Sequence, residues 1–219
     1  MQTNIIVKLI VGENAINKLK YKFIIIPKEM VENDNTLVFS KNKVKSISMQ
    51  NRSTSNSEEF SLGVTSLMGS VELKDYDNYL FYLTTNKLIG ENTEIQVFDG
   101  STLLNVFYTT KDWQYSNQNK QVAIELKGRT AFWANIDTFG IKYQENISGL
   151  NLFGQIIDIS NLDKNNFYIS TSLKDYLNKF TFSKAFISKG SLEEVFNKFC
   201  YATLLIIYES AGQIIVERF

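Results

Sequence analysis

Short runs of alternating apolar and polar residues recur along the first two thirds of the chain. Turn residues break them at intervals of roughly ten residues. Such runs cannot be read as helices, because period-two alternation puts every second side chain on one face of an extended strand. Ile5, Ile6, Val7, Leu9, Ile10 and Val11 flank a lone Lys8 and predict a strand over Asn4–Val11. Lys20–Ile26 reads as a strand that Pro27 stops, since proline cannot donate to a ladder. Thr36–Phe39, Lys43–Met49, Ser70–Lys74, Thr93–Phe98, Leu103–Thr109 and Gln121–Lys127 continue the series. Asp99-Gly100-Ser101 predicts a hairpin turn, and Gly63 and Gly69 are read as flanking a small loop. Asn51–Ser57 reads as a polar loop, and Ala131–Asn135 as a single helical turn. Residues 78–90 are open between a short helix and a loop.

Toward the C-terminus the period changes. In Ser191–Phe219, Leu192, Val195, Phe196 and Phe199 recur at i, i+3, i+4 and i+7, which predicts a helix with one apolar stripe. Ser191 stands where an N-cap belongs, and Glu194 three residues on completes a capping box. Leu204–Tyr208, a turn over Glu209–Gly212 and Gln213–Phe219 then read as a β-hairpin, the nearest surface on which the stripe can be buried. Asn151–Ser160 carries a similar helical pattern, weakened at Gly154 by about 1 kcal/mol relative to alanine, and Phe167–Ser170 follows as a strand. Ser172–Phe180 is ambiguous, and Thr181–Ser188 is extended.

The expected class is therefore mainly β with an α+β part: barrel-like or sandwich β domains with an inserted helix–strand segment. Residues 1–135 form the β-rich domain on this reading, and residues 136–219 form an α+β segment of two helix–strand units packed against it.

Composition removes several function classes. The chain has no histidine and one cysteine, Cys200. Ser-His-Asp and Cys-His catalysis, the common zinc sites and an internal disulfide are excluded. Cys200 beside the apolar stripe reads as a small buried hydrophobe. Formal net charge is zero and no basic run stands out, so nucleic acid is not an expected partner. No apolar span reaches 18 residues, and the apolar N-terminal run lacks the basic region and cleavage site of a signal peptide. The acidic pairs Glu58-Glu59, Asp75/Asp77 and Glu193-Glu194 are read structurally, as turn and cap residues, and no glycine-rich phosphate loop is present. No enzyme activity, cofactor or metal is expected. Aromatic residues make up 13% of the chain, enough to supply subunit contacts, and Trp113 and Tyr115 are the candidate interface anchors.

The order of these segments resembles the tail-hub or baseplate-hub proteins of bacteriophages, also found in contractile injection machines and at the start of tail-associated lysins. The resemblance rests on the strand "SVEL", the strand "EIQVF" with its turn, the stretch "IELKGRTAF", two helix–strand units in tandem, and a final capped helix, strand, glycine turn and strand. It covers roughly residues 44–219. Gly212 fits the family's turn, while Ala211 stands where its aspartate is usual. The family often carries an Asp where this chain has Gly128-Arg129. The resemblance implies a structural virion protein, a homotrimer that joins the tail tube or distal tail proteins to a tip or spike. It would be found in the virion tail, and in the host cytoplasm during assembly. Two other readings stay open: a carbohydrate- or receptor-binding module, and the structural leading part of a tail-associated lysin. Ser191, Glu194 and Gly212 are structural residues on all three.

Overall fold

The computed structural model describes residues 5–10, 36–39, 42–53, 62–85, 93–110, 113–138, 141–187 and 189–219. The chain falls into two compact units, Met1–Gln50 with Met68–Gly128, and Asn51–Leu67 with Arg129–Phe219. The strand expected over Lys20–Ile26 lies outside the described residues.

The first unit is built on strands β1 (Ile5–Ile10), β2 (Thr36–Phe39), β3 (Val44–Ser53), β4 (Gly63–Lys74), β5 (Glu94–Asp99), β6 (Thr102–Thr109), β7 (Gln114–Ser116) and β8 (Gln121–Lys127), with helix α1 (Tyr79–Thr85) after β4. Their order is β4-β8-β6-β5-β1-β2, with β3 beside β4 and β7 beside β8. Met68–Lys74 of β4 runs antiparallel to Lys127–Gln121 of β8, and β1 runs antiparallel to both β5 and β2. Alternation does what it should. Val71, Leu73, Ile95, Val97, Val122, Ile124 and Leu126 are buried, and so are Leu80 and Leu83 of α1. The mainly β fold with inserted helices is what forms, but the sheet does not close into a barrel. Among the described residues β2 pairs only with β1, which leaves the sheet open at that side.

Three local expectations change here. Gly63 and Gly69 do not bound a loop but lie within the single strand β4. Glycine is needed at both for close approach of other groups. The carbonyl of Ser48 occupies the place a Cβ at Gly69 would take. At Gly63, φ is +127° and Asn197 Oδ1, which accepts from Val64 N at 2.7 Å, lies 2.5 Å from where a Cβ would stand. Strand β3 runs on through Asn51–Ser53, which its polar composition had suggested was loop. The segment 78–90 resolves to helix over Tyr79–Thr85.

The second unit contains β9 (Asp137–Thr138), β10 (Ile141–Ser148), α2 (Gly149–Ile159), β11 (Phe167–Ile169), α3 (Thr171–Lys179), β12 (Thr181–Ile187), β13 (Gly190–Ser191), α4 (Leu192–Thr203), β14 (Leu205–Ser210) and β15 (Gln213–Arg218), with a 3-10 helix at Thr130–Asn135. The first residues of β4 also count with it, and Gly63 and Val64 pair in parallel with Ile206 and Ile207 of β14. β14 and β15 form an antiparallel hairpin, and β11 runs parallel to β15. β10 and β12 make a separate antiparallel ribbon, and β9 and β13 a second short pair.

Helix α4 explains the packing of this unit. Leu192, Val195, Phe196, Phe199, Cys200 and Thr203 are its buried face, a continuous stripe at helical spacing. That stripe joins Leu205, Ile207, Ile214 and Val216 of the hairpin and Leu152, Phe153, Ile156 and Ile157 of α2 in one core. At its centre the rings of Trp133 and Phe196 stack at 4.6 Å, and Phe153 lies 5.7 Å from Phe196. The helix ends at Leu204, whose φ of 56° is left-handed and whose N–H donates to Cys200 O.

The β14–β15 turn is tighter than the sequence suggested. Glu209 and Ser210 belong to β14, and only Ala211 and Gly212 turn, with φ of 48° and 77°. Positive φ at both central residues defines a type I′ turn, which glycine and asparagine adopt readily and alanine does not. Ala211→Asn is therefore expected to raise stability by about 1 kcal/mol. A shift of the urea midpoint upward at unchanged slope would measure it, and no shift would mean the alanine carries no strain.

Candidate interaction surface

An aromatic surface in the first unit is built around a buried carboxylate. Asp75 follows β4 and is only 5% exposed. Its Oδ1 accepts from Leu80 N and its Oδ2 from Phe81 N, both at 3.0 Å, so the turn residue also caps α1 and fixes where the helix starts. Asn78 takes a left-handed φ of 54°, and its Oδ1 accepts from the Tyr115 hydroxyl and from Lys120 Nζ, each at 2.8 Å. The Tyr115 ring lies 4.6 Å from that of Phe81. Burial, and then the Asp75 carboxylate, raise the Tyr115 hydroxyl above its ordinary pKa. Burial also pushes Tyr79 up to about 12, with Tyr82 adding to it.

With Leu80 and Leu83 turned inward, Phe81 and Tyr82 of α1 are left outside, as is Tyr76 just before the helix. Tyr76 is 61% exposed, Tyr82 55% and Phe81 39%. Large exposed rings of this kind are enriched at protein contacts. Of the two anchors singled out from sequence, Tyr115 is half-buried and holds this frame together. Trp113 is half-buried too, with its indole N–H buried and without a hydrogen-bond partner among the described residues. The signal for the more exposed pair was the aromatic run in residues 76–82. Which of those rings face solvent depended on the helical phase, which was unknown until α1 was placed.

In the second unit, Ser191 is the N-cap of α4, and its Oγ accepts from Glu194 N at 3.3 Å. The Glu194 carboxylate lies over Gly190, with Oε2 2.9 Å from where a Cβ there would stand. Ser191→Ala combined with Glu194→Ala is expected to destabilise the chain by about 1–2 kcal/mol, read as a lower unfolding midpoint. Gly212 occupies the second position of the β14–β15 turn.

One functional-looking group was not anticipated. Glu209 is 6% exposed, yet its carboxylate is fully engaged. Oε2 accepts from Arg129 N at 3.0 Å, and Oε1 from Thr130 N at 2.8 Å and Thr130 Oγ1 at 2.6 Å. These donors open the 3-10 helix Thr130–Asn135, where a negative charge is favoured. The resemblance expects an acid at 128–129. The sequence has none there, and a carboxylate reaches that place from the hairpin instead. A carboxylate held by three donors is a structural clamp, and nothing in its arrangement offers it to a substrate.

The remaining candidates for chemistry give no reactive centre among the described residues. Cys200 is buried, and burial pushes its thiol up to about 12, far from a thiolate at neutral pH. Among the described residues, no group of three or more acidic or cysteine side chains is placed to hold a metal. Glu58-Glu59 lies outside the described residues. No described helix is long and apolar enough to cross a membrane.

No family model and no curated protein sequence matches the chain. Its likeness to known proteins is structural. The 43 kDa tail protein of prophage MuSo2 from Shewanella oneidensis aligns over 100% of this chain at a TM-score of 0.55, with 13% sequence identity. The chain has the fold of that tail protein. It spans 56% of the length of the Shewanella protein. A tail protein from Neisseria meningitidis MC58 aligns over 69% of this chain and 41% of its own, with 7% identity and a TM-score of 0.46, too low to establish a shared fold.

Proposed function

We propose that this chain is a structural subunit of a phage tail, and within the tail a hub or baseplate-hub protein that joins the tail tube to the tip or spike. The observation that carries the reading is the fold shared, over the full chain, with the MuSo2 tail protein. The resemblance read from the sequence points the same way. The chain works by binding: it assembles with itself as a homotrimer and with tube, distal-tail and tip or spike proteins. It transforms no substrate. Tyr76, Phe81 and Tyr82 supply contact area to a neighbouring subunit, because rigid aromatic rings bury large surface at low entropic cost. The protein is made in the host cytoplasm and ends in the virion tail.

Purified tail particles test this. The expected result is the chain in the particle at three copies per tail by quantitative mass spectrometry. Its absence from tails overturns the tail assignment, and six copies per tail keep that assignment but overturn the hub. Tyr82→Ser should leave the isolated chain folded and reduce its incorporation into tails.

A further inference from the structure

Strand β11 ends before its neighbour does. Ile169 pairs with Val216, and the chain then turns at Ser170, the N-cap of α3. Glu217 and Arg218 of β15 pair with Ile206 and Leu205 on one side, and no strand lies beside them on the other among the described residues. A notch of about 370 Å3 remains, at the small end of the range for ligand sites. Tyr168, Ser170, Ser172, Tyr176, Glu217 and Arg218 line it, over the buried side chains of Leu173 and Val216.

We propose that this notch is a carbohydrate-binding site that takes one neutral pyranose unit of a glycan. The site stands apart from the tail assignment and does not depend on it. A pyranose has an apolar C–H face and a rim of hydroxyls, and the notch carries both complements. Tyr168 is 53% exposed and gives an aromatic ring for the C–H face. The Ser170 and Ser172 hydroxyls bond each other at 3.0 Å and Ser170 Oγ accepts from Leu173 N, so the pair keeps one O–H to donate and lone pairs to accept. Arg218 adds donors.

Tyr176 and Arg218 are held before any ligand arrives. The Tyr176 hydroxyl donates to Thr203 O at 3.1 Å, and the Arg218 guanidinium stands 4.6 Å from the centre of the Tyr176 ring. Burial, and then the Glu217 carboxylate beside it, raise the Tyr208 hydroxyl, so Glu217 is also engaged by a neighbour. Preorganisation of this kind lowers the entropic cost of binding.

Saturation-transfer difference NMR on the whole chain, with methyl α-glucoside, methyl α-rhamnoside and N-acetylglucosamine as probes, tests the site. The expected result is transfer to ring C–H protons of at least one probe. Tyr168→Ala should weaken binding tenfold or more, while Tyr143→Ala, an equally exposed tyrosine on β10, leaves it unchanged. Arg218→Gln should weaken it too. Because Tyr168 is exposed, its substitution keeps the fold, which an unchanged melting curve verifies. No transfer to any of the three probes overturns the proposal. So does transfer that survives Tyr168→Ala, or displacement of the sugar by inorganic phosphate. Loss of a protein partner in Tyr168→Ala without sugar binding would make the notch a peptide site and overturn it as well.

Discussion

Phe196→Ala is expected to destabilise the chain by about 3–5 kcal/mol. Phe196 is fully buried and sits where α4 meets three other elements. Its ring stacks on Trp133 at 4.6 Å, and Phe153 and Phe167 stand 5.7 and 6.2 Å away. Truncation removes the transfer free energy of the ring and leaves a cavity that these neighbours cannot fill, since each is fixed by other contacts. A domain holds about 5–15 kcal/mol in all, so this one change consumes much of it. Urea unfolding followed by tryptophan fluorescence reads the effect, and a Trp113→Phe background leaves Trp133 as the sole reporter. A loss below about 1 kcal/mol would mean that the ring is not packed as described.

Glu209→Ala is the second large effect, expected at about 3 kcal/mol. Removing the carboxylate strands two backbone N–H groups and the Thr130 hydroxyl at a buried helix start. The hydroxyl has a partial alternative in Thr65 O at 3.2 Å. Glu209→Gln keeps one oxygen and should cost less than alanine. Equal unfolding midpoints for wild type, Gln and Ala variants would show that the clamp contributes nothing. Amide exchange at residues 129 and 130 gives a local readout, with faster exchange expected in the alanine variant.

Much of the fold could be read from local pattern. The runs 36–39 and 121–127 become β2 and β8 with the bounds the alternation suggests, and the stripe at Leu192, Val195, Phe196 and Phe199 becomes the buried face of α4. Both signals arise because a repeating side-chain direction is fixed by the backbone period itself. Segments with weaker periods were harder. Ser172–Phe180 offers only Leu173 and Leu177 to the core, one apolar residue per turn, and the structure makes it helix α3. Ile141–Tyr143 was legible only as the start of β10, because Gln144 and Glu145, which pair with Ala185 and Lys184 of β12, and Asn146, at a left-handed φ of 52°, break the apolar pattern.

The sequence by itself determined the elements whose information is local: strand periods, the cap at Ser191, the glycine turn at 212, and the absence of histidine chemistry. The tertiary structure alone decided what lies far apart in the chain. It put β11 in parallel beside β15, gave residues 51–67 to the second unit, and brought Glu209 to the amides of Arg129 and Thr130 across some eighty positions. Those pairings depend on which surfaces compete successfully for burial once all elements exist, and no residue records its distant partner in its own neighbourhood. The exposed rings of Tyr76 and Tyr82 follow the same rule, since a side chain becomes surface only when its neighbours have taken the inside.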